Sequence, residues 1–228
     1  MFDGKFRGPV DKAVKPVGAA LRKTGLTPDH LTILGLLVGV GAAVAIGLGQ
    51  LRLGLLLVIL AALPDLLDGA LAKASDTASQ RGAFFDSTVD RITDALLLGG
   101  IAWYFASEES PYLTLLPYAV MAVSSLISYQ RAKAESLGID AKGGLMERAE
   151  RIIAICLGLL IPVLLIPILW IMLVLTSITA IQRFVKVWKQ AAVAPVTAAK
   201  IEMRRSRRQS RRVARTERRR TRVPRRPT

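Results

Sequence analysis

Six apolar runs divide most of the chain, at about residues 31–50, 52–72, 90–107, 112–129, 151–166 and 167–186. Most of them approach the roughly 20 residues that a helix needs to cross a bilayer. The last two are separated only by Ile-Pro-Ile around Pro167. About 36 residues are too many for one crossing, so we expect two helices and a tight turn rather than one re-entrant segment. The pattern predicts an all-α integral membrane protein with six transmembrane helices.

The segments on either side of these runs are basic. In residues 2–26 apolar residues recur at roughly helical spacing between lysines and arginines, which is typical of an amphipathic helix on a membrane surface. An unstructured basic leader is the alternative, and we expect no cleaved targeting segment because the stretch is too long and too charged. The expected organisation is an interfacial juxtamembrane helix in 1–30, a six-helix domain in 31–190 and a disordered basic tail in 191–228.

The distribution of charge predicts the orientation in the membrane. Lysines and arginines occur before helix 1, between helices 2 and 3, between helices 4 and 5, and after helix 6. Short cytoplasmic loops are enriched in these residues. We therefore expect a multi-pass cell-membrane protein with both termini, and any site at those helix ends, facing the cytoplasm.

Composition excludes several kinds of chemistry. Hydrophobic residues make up 52% of the chain and the mean hydropathy is +0.40, above the usual range of soluble proteins. A single cysteine, Cys156, and a single histidine, His30, exclude an intramolecular disulfide and a zinc-finger ligand set.

The basic tail accounts for most of the net charge of +15, because fourteen of the 32 lysines and arginines follow residue 199. A membrane-anchored nucleic-acid-binding protein is one interpretation. The tail has no aromatic residue to stack on bases, however, and anionic lipid attracts basic segments next to a membrane. Membrane lipids are therefore the expected partner, with no specific nucleic acid.

Acidic residues cluster where the second apolar run ends and the third begins. Asp65 and Asp68 are spaced i,i+3, and Asp86 and Asp90 are spaced i,i+4, so each pair lies on one helical face. Four carboxylates without histidine or thiolate suit magnesium or manganese, and two such ions can clamp the oxygens of a phosphoryl displacement.

Two other roles for these carboxylates remain open. They can pair with Lys73, Arg81 and Arg91 as interfacial ion pairs, or they can form a proton path in a transporter. Asp76, in a loop, is expected to have one of these other roles rather than to join the metal site, whereas Asp94 suits the metal site and these other roles equally.

The spacing of this segment resembles the signature of the CDP-alcohol phosphotransferase family, D-x2-D-G-x2-A-R-x8-G-x3-D-x3-D. The chain matches it from Asp65 to Asp90, except that Lys73 replaces an arginine. The resemblance implies a six-helix enzyme that uses a CDP-activated donor, two Mg²⁺ or Mn²⁺ ions and a homodimeric assembly. It makes Asp65, Asp68 and Asp86 metal ligands, and Asp90 both a metal ligand and the catalytic base.

The same resemblance implies contacts with the CDP donor. Gly69, Ala72 and Gly82 would leave room for a nucleotide, although close packing of helices is the alternative use of such small residues. Thr27-Pro28-Asp29-His30-Leu31-Thr32 resembles the entry of the family's first helix. We therefore expect donor contacts from Asp29, Thr32 and Lys73, with a helix N-cap as the competing role of Asp29.

Four cations are candidates for the acceptor side, namely Arg131, Lys133, Arg151 and Arg183, all at predicted cytoplasmic helix ends. They would bind a phosphorylated acceptor; the alternative is that they only follow the positive-inside bias. The surrounding segments resemble the actinobacterial phosphatidylinositol-phosphate synthases of that family. This implies transfer of the phosphatidyl group from CDP-diacylglycerol to inositol 1-phosphate, giving phosphatidylinositol phosphate and CMP. Phosphatidylglycerophosphate synthesis from glycerol 3-phosphate is the second candidate.

Overall fold

The computed structural model describes residues 27–75, 79–107, 111–141, 143–192 and 203, and its side chains are described except at 65–75 and 111. The described residues contain no strand. Their α-helices, numbered in chain order, are α1 Pro28–Gly47, α2 Leu51–Ser75, α3 Gln80–Ser107, α4 Leu115–Ser136, α5 Arg148–Leu160 and α6 Leu165–Ala191. Short 3-10 helices at Pro111–Thr114 and Pro162–Leu164 precede α4 and α6.

The third helix begins ten residues earlier than its apolar run. Ser79 lies just before it, and its hydroxyl accepts a hydrogen bond from the Gly82 amide at 3.0 Å, which satisfies one unpaired donor of the first turn. The apolar run does not include this start because polar and charged residues are frequent in the first three turns, among them Gln80, Arg81 and Asp86. As a result Asp86 and Asp90 lie within α3 rather than at its end.

The break between the last two helices lies at Pro162, not at Pro167 as expected from the sequence. A 3-10 turn at Pro162–Leu164 ends α5, and α6 begins at Leu165. Pro167 is tolerated in the first turn of α6 because the amide that proline lacks would have no intrahelical partner there.

The packing of α1 against its neighbours depends on small residues. A Cβ atom added at Gly39 would lie 3.2 Å from Thr93 of α3, and one at Gly100 would lie 2.5 Å from the backbone oxygen of Ala43. Such contacts allow α1 and α3 to approach more closely than larger residues would permit. Helix α1 also packs against α2, and α2 packs against α5.

The apolar surface is that of a multi-pass membrane protein. Among the described residues, the segments Pro28–Gly47, Tyr112–Ser136 and Pro162–Ala191 are long and apolar enough to cross a membrane, and Leu51–Pro64 is a shorter apolar helix. Large apolar side chains such as Leu37, Trp170 and Ile181 are exposed on these helices. The shortest helix, α5, has 13 residues, which is about 20 Å at 1.5 Å per residue. Of the six expected crossings, these segments therefore account for three.

The chain divides into two compact units, Met1–Phe184 and Val185–Thr228. Every residue of the site described below belongs to the first unit. The expected surface helix at 2–26, the loop residue Asp76 and nearly all of the basic tail lie outside the described residues.

Candidate active site

The start of α1 places the first two candidate donor contacts. Thr27 is the N-cap: its hydroxyl accepts from the His30 amide, and Nδ1 of His30 accepts from the Thr27 amide, both at 3.4 Å. The N-cap role considered for Asp29 is therefore wrong, because Asp29 lies in the first helical turn. Its carboxylate is left on the surface, available to other groups.

Asp29 lies next to the start of α3. Its Oδ2 is 3.9 Å from Nη2 of Arg81, and its Oδ1 would be 4.0 Å from a Cβ atom added at Gly82. Of the expected donor contacts, Asp29 and Gly82 are thus brought together. Both partners of the ion pair are exposed, so its contribution to stability is small.

Thr32 and Asp90 line one cavity. Thr32 is buried, and its hydroxyl donates to the Pro28 carbonyl oxygen at 3.1 Å. The cavity has a volume of about 50 Å³ and is lined by Thr32, Gly35, Leu36, Val58, Ala61, Ala62, Val89, Asp90, Thr93, Leu97, Arg148 and Ile152. It therefore joins the entry of α1 to the carboxylate expected to act as the base.

Only part of the predicted carboxylate set can be followed to its side chains. Asp86 and Asp90 are half-buried on α3. Asp65, Asp68, Gly69, Ala72 and Lys73 have helical backbone in α2, but their side chains lie outside the described part of the chain. Within the described side chains no three acidic, histidine or cysteine groups form a metal-binding cluster.

The observations available fit a divalent metal. Residues 65 and 68 follow the stretch of α2 that lines the cavity with Asp90, and the donor set contains oxygen alone, as magnesium and manganese prefer. The Asp90 carboxylate also already accepts a cation, because Oδ1 lies 2.7 Å from Nη1 of Arg148.

Arg148, at the start of α5, is a site residue that the sequence-based prediction does not contain. Besides Asp90, it approaches Asp94, with Nε 3.4 Å from Oδ1. Arg151 donates through Nη2 to the other oxygen of Asp94. The sequence does contain a sign of this role, because the i,i+3 spacing of these arginines places them on one face of α5. The apolar run begins at residue 151, so the sequence-based prediction placed Arg148 in the preceding loop.

Asp94 accordingly makes ion pairs, one of the roles considered for it, but with Arg148 and Arg151 rather than with Lys73, Arg81 or Arg91. Asp90 also lies 3.7 Å from Arg91, one of the partners considered for the aspartates. Arg151, one of the expected acceptor contacts, thus binds Asp94, which lies one turn of α3 from Asp90.

Arg183 of α6 is buried beneath the loop that joins α4 to α5. Its guanidinium donates to the carbonyl oxygens of Ile127 and Gly143, each at 2.9 Å, and it lies 3.9 Å from Glu147. The Leu145 amide donates to the Thr179 hydroxyl at 3.2 Å, so two residues of α6 hold the loop. Glu147 then caps α5, which carries Arg148 and Arg151 toward α3.

The remaining two candidate cations have different surroundings. Arg131 is half-exposed and pairs with Glu135 one turn along α4, with Nε 3.0 Å from Oε1. Lys133 is exposed. Arg131 and Arg151 both lie close enough to Arg183 to interact with its charge. Within the described part of the chain, neither Arg131 nor Lys133 pairs with Asp90 or Asp94, so three arginines approach one another and, of the four candidate cations, Arg151 is the one that contacts a carboxylate of α3.

Comparison with protein families identifies one match that covers most of the chain. The family described as CDP-alcohol phosphatidyltransferase matches residues 25–189. The phosphatidylinositol phosphate synthase of Mycolicibacterium smegmatis is 34% identical over 182 residues, covering 75% of this chain and 82% of that protein. The protein of the same name from Streptomyces avermitilis is 35% identical over 213 residues, covering 87% of each.

Solved structures give the same result. The crystal structure of Mycobacterium tuberculosis phosphatidylinositol phosphate synthase with CDP-DAG bound has a TM-score of 0.72 and 34% identity, and the match covers 78% of this chain and 94% of that one. The same enzyme in complex with manganese and citrate also has a TM-score of 0.72 and 34% identity, covering 77% of this chain and 88% of that one.

Proposed function

Because the chain belongs to the CDP-alcohol phosphatidyltransferase family, we propose that it transfers the phosphatidyl group of CDP-diacylglycerol to inositol 1-phosphate, giving phosphatidylinositol phosphate and CMP. The relatives named for this reaction and the CDP-DAG complex of the mycobacterial enzyme support the proposal. The observation that carries the choice of a phosphorylated acceptor is the buried Arg151, which binds Asp94, one turn of α3 from the half-buried Asp90; the names of the relatives favour inositol 1-phosphate over glycerol 3-phosphate.

The donor side of the site lies between the start of α1 and the facing segments of α2 and α3. Thr32 and Asp90 line the shared cavity, and Asp29 lies beside Gly82. We assign the CDP group to this region, with Gly69, Ala72 and Gly82 allowing close approach of the nucleotide to the backbone. Lys73 supplies a positive charge for the diphosphate, without the planar fork of arginine.

The metal is assigned to the carboxylates. Asp65, Asp68, Asp86 and Asp90 would hold two magnesium or manganese ions, which would supply positive charge for a phosphoryl displacement. The manganese complex of the mycobacterial enzyme supports this assignment.

Asp90 is proposed as the general base. The acceptor hydroxyl oxygen forms a bond to the β-phosphorus of the donor while the bond from that phosphorus to the oxygen of CMP breaks. The hydroxyl proton passes to the Asp90 carboxylate, and CMP leaves. Arg148, 2.7 Å from Oδ1 of Asp90, orients the carboxylate for this transfer, and correct placement of a base is the first requirement of such catalysis.

The acceptor phosphate is assigned to Arg151 and Arg183, with Arg131 and Lys133 at the edge of the site. Guanidinium groups match the oxygens of a phosphate with paired donors. Burial strengthens the interaction because the surroundings have a low dielectric constant.

The arrangement in the membrane is proposed from the family and from the distribution of basic residues. All six helices enter the membrane, with both termini and the site on the cytoplasmic side, and the chain assembles as a homodimer. The support for the orientation is the basic residues at one set of helix ends. Labelling of single cysteines in intact cells tests it, because residues at 137–141 should react only with reagents that cross the membrane.

The assignment of the acceptor is tested by CMP release. The full-length protein in membranes, supplied with CDP-diacylglycerol and magnesium, should release CMP with inositol 1-phosphate and much less with free inositol or glycerol 3-phosphate. Free inositol tests whether the acceptor needs its phosphate, and glycerol 3-phosphate tests whether it needs the inositol ring. A preference for glycerol 3-phosphate would overturn the proposed acceptor and leave the family assignment intact.

The phosphate contact is tested at Arg151. Arg151→Ala removes a charged donor whose hydrogen bonds to an anion are worth about 1.5 to 3 kcal/mol. We expect the KM for inositol 1-phosphate to rise by about 10-fold or more, with the KM for the donor nearly unchanged. If the donor KM rises instead, Arg151 belongs to the nucleotide side.

A further inference from the structure

Asp94 is an acidic residue of α3 that lies outside the family signature. It follows Asp90 by one helical turn, and its side chain is only 14% exposed. Two arginines of α5 contact it: Arg151 donates to Oδ2, and Nε of Arg148 lies 3.4 Å from Oδ1. One carboxylate therefore faces two guanidinium groups of α5, and it accepts a hydrogen bond from that of Arg151.

The second arginine connects Asp94 to the proposed base. Arg148 places Nη1 2.7 Å from Asp90 and Nε 3.4 Å from Asp94. The contact with Asp90 is the shorter one, and Nε makes no hydrogen bond to Asp94. Asp90 therefore fixes the position of Arg148, and Asp94 mainly orients Arg151, whose Nη2 donates to it.

Burial explains why Arg151 needs a carboxylate beside it. The Arg151 side chain is 6% exposed, and a buried cation requires a counter-charge and hydrogen-bond acceptors. Arg148 and Arg151 together face two carboxylates, Asp90 and Asp94, so these charges balance. The guanidinium group of Arg151 attracts an anionic ligand, whereas Asp94 itself would repel one.

We propose that Asp94 is a positioning residue of the transferase, which holds Arg151 in the orientation that binds the phosphate of the acceptor. This inference rests on the proposed function and deepens it. Asp94 touches no substrate and takes no proton; it acts on acceptor affinity through Arg151.

The test uses the purified full-length protein and the variants Asp94→Asn and Asp94→Glu. We expect Asp94→Asn to raise the KM for inositol 1-phosphate by about 10- to 100-fold, the same range as the loss of a group that orients a metal-binding side chain. The KM for CDP-diacylglycerol should change by less than about twofold. Asp94→Glu keeps the charge and should recover part of the loss. Asp140→Asn is the matched control, since that carboxylate is exposed and its loss should leave both constants unchanged.

A double-variant comparison separates positioning from a general effect on folding. If Asp94 acts through Arg151, then Asp94→Asn in an Arg151→Gln background should shift the acceptor KM by less than about threefold. A purely structural role would instead lower kcat, shift both Michaelis constants, or give additive effects. Any of these results, or an unchanged acceptor KM in Asp94→Asn, would overturn the inference.

A binding measurement keeps the inference distinct from the choice of acceptor. Calorimetric titration with inositol 1-phosphate and with glycerol 3-phosphate, without donor, should show weaker binding to Asp94→Asn than to the unchanged chain. If glycerol 3-phosphate is the better ligand, the proposed acceptor fails while the comparison of variants proceeds with that ligand. Failure of the unchanged chain to bind either phosphate ester would overturn both proposals.

Discussion

The proposed site consists of an acidic region on α2 and α3 and a basic region on α4, α5 and α6, and the residues of the two regions are distributed differently along the sequence. The acidic region contains Asp65, Asp68, Asp86 and Asp90, in two local pairs one helical turn apart. The basic region contains Arg131, Lys133, Arg151 and Arg183, which come from three helices separated by up to 52 residues of sequence. The first region is specified by helical periodicity, and the second exists only where three helices pack.

Burial further divides the basic region. Arg151 and Arg183 have side chains 6% and 3% exposed and are paired with protein groups, whereas Arg131 is 39% exposed and Lys133 lies on the surface. A buried cation must be paired with protein groups, because its desolvation is costly otherwise. Substitution of a buried member should therefore change both stability and binding, and substitution of an exposed member neither by much.

The largest expected effect concerns the acidic region. Asp90→Asn keeps the size of the side chain but removes its basicity, and loss of a general base typically lowers turnover by about 10² to 10⁴-fold. We expect turnover to fall by at least about 100-fold and not to recover in excess magnesium or manganese. Asp65→Asn should instead weaken metal binding itself. Metal titration of CMP release measures both.

One result would remove the proposed difference in role between Asp90, the base, and Asp65, the metal ligand. Full recovery of Asp90→Asn at high metal concentration would make Asp90 a ligand only. Near-normal turnover without added metal would contradict the proposed mechanism at this residue.

The next effect is on stability within the basic region. Arg183→Met leaves two carbonyl oxygens without their donor and Glu147 without its ion-pair partner. Breaking a buried charged pair costs about 3 to 5 kcal/mol. Arg131→Met, the matched control, loses one exposed ion pair, worth less than about 1 kcal/mol. Unfolding in detergent with increasing denaturant measures both. Equal losses would show that burial does not separate the two arginines.

A smaller effect is expected where α1 packs against α3. Gly100→Ala would place Cβ 2.5 Å from the backbone oxygen of Ala43, and such overpacking costs about 1 to 3 kcal/mol. Gly99→Ala is the neighbouring control, because nothing lies within 4 Å of its added Cβ and alanine favours a helix by up to about 1 kcal/mol. Thermal unfolding should therefore shift in opposite directions. A shift in the same direction would mean that α1 and α3 separate at little cost.

The smallest effect is expected at Lys133. Lys133→Ala removes an exposed charge, which contributes less than about 1 kcal/mol and is screened by salt. The acceptor KM should rise by less than about threefold, and the difference should vanish in high salt. A tenfold rise that persists in salt would show that Lys133 binds the acceptor directly and that the division by exposure is wrong.

Several features were predictable because they are local. The apolar runs predicted an all-α chain with helices near their observed places, since burial in lipid and helical periodicity both act over one element. The spacing from Asp65 to Asp90 indicated the family, and the family comparison confirms it. The polar start of α3 at Gln80 and the break at Pro162 were missed because hydropathy does not report caps or 3-10 turns.

The sequence by itself determined the helical class, the family and the spacing of the aspartates, because each depends on residues within one or two helices. Only the tertiary structure decided which cations meet which carboxylates. Arg148 reaches Asp90 and Asp94 across 58 and 54 residues of sequence, and Arg183 reaches Ile127 across 56. Such pairings follow from the close approach of helices at small residues and from the need to pair buried charge. No pattern along one helix carries that information.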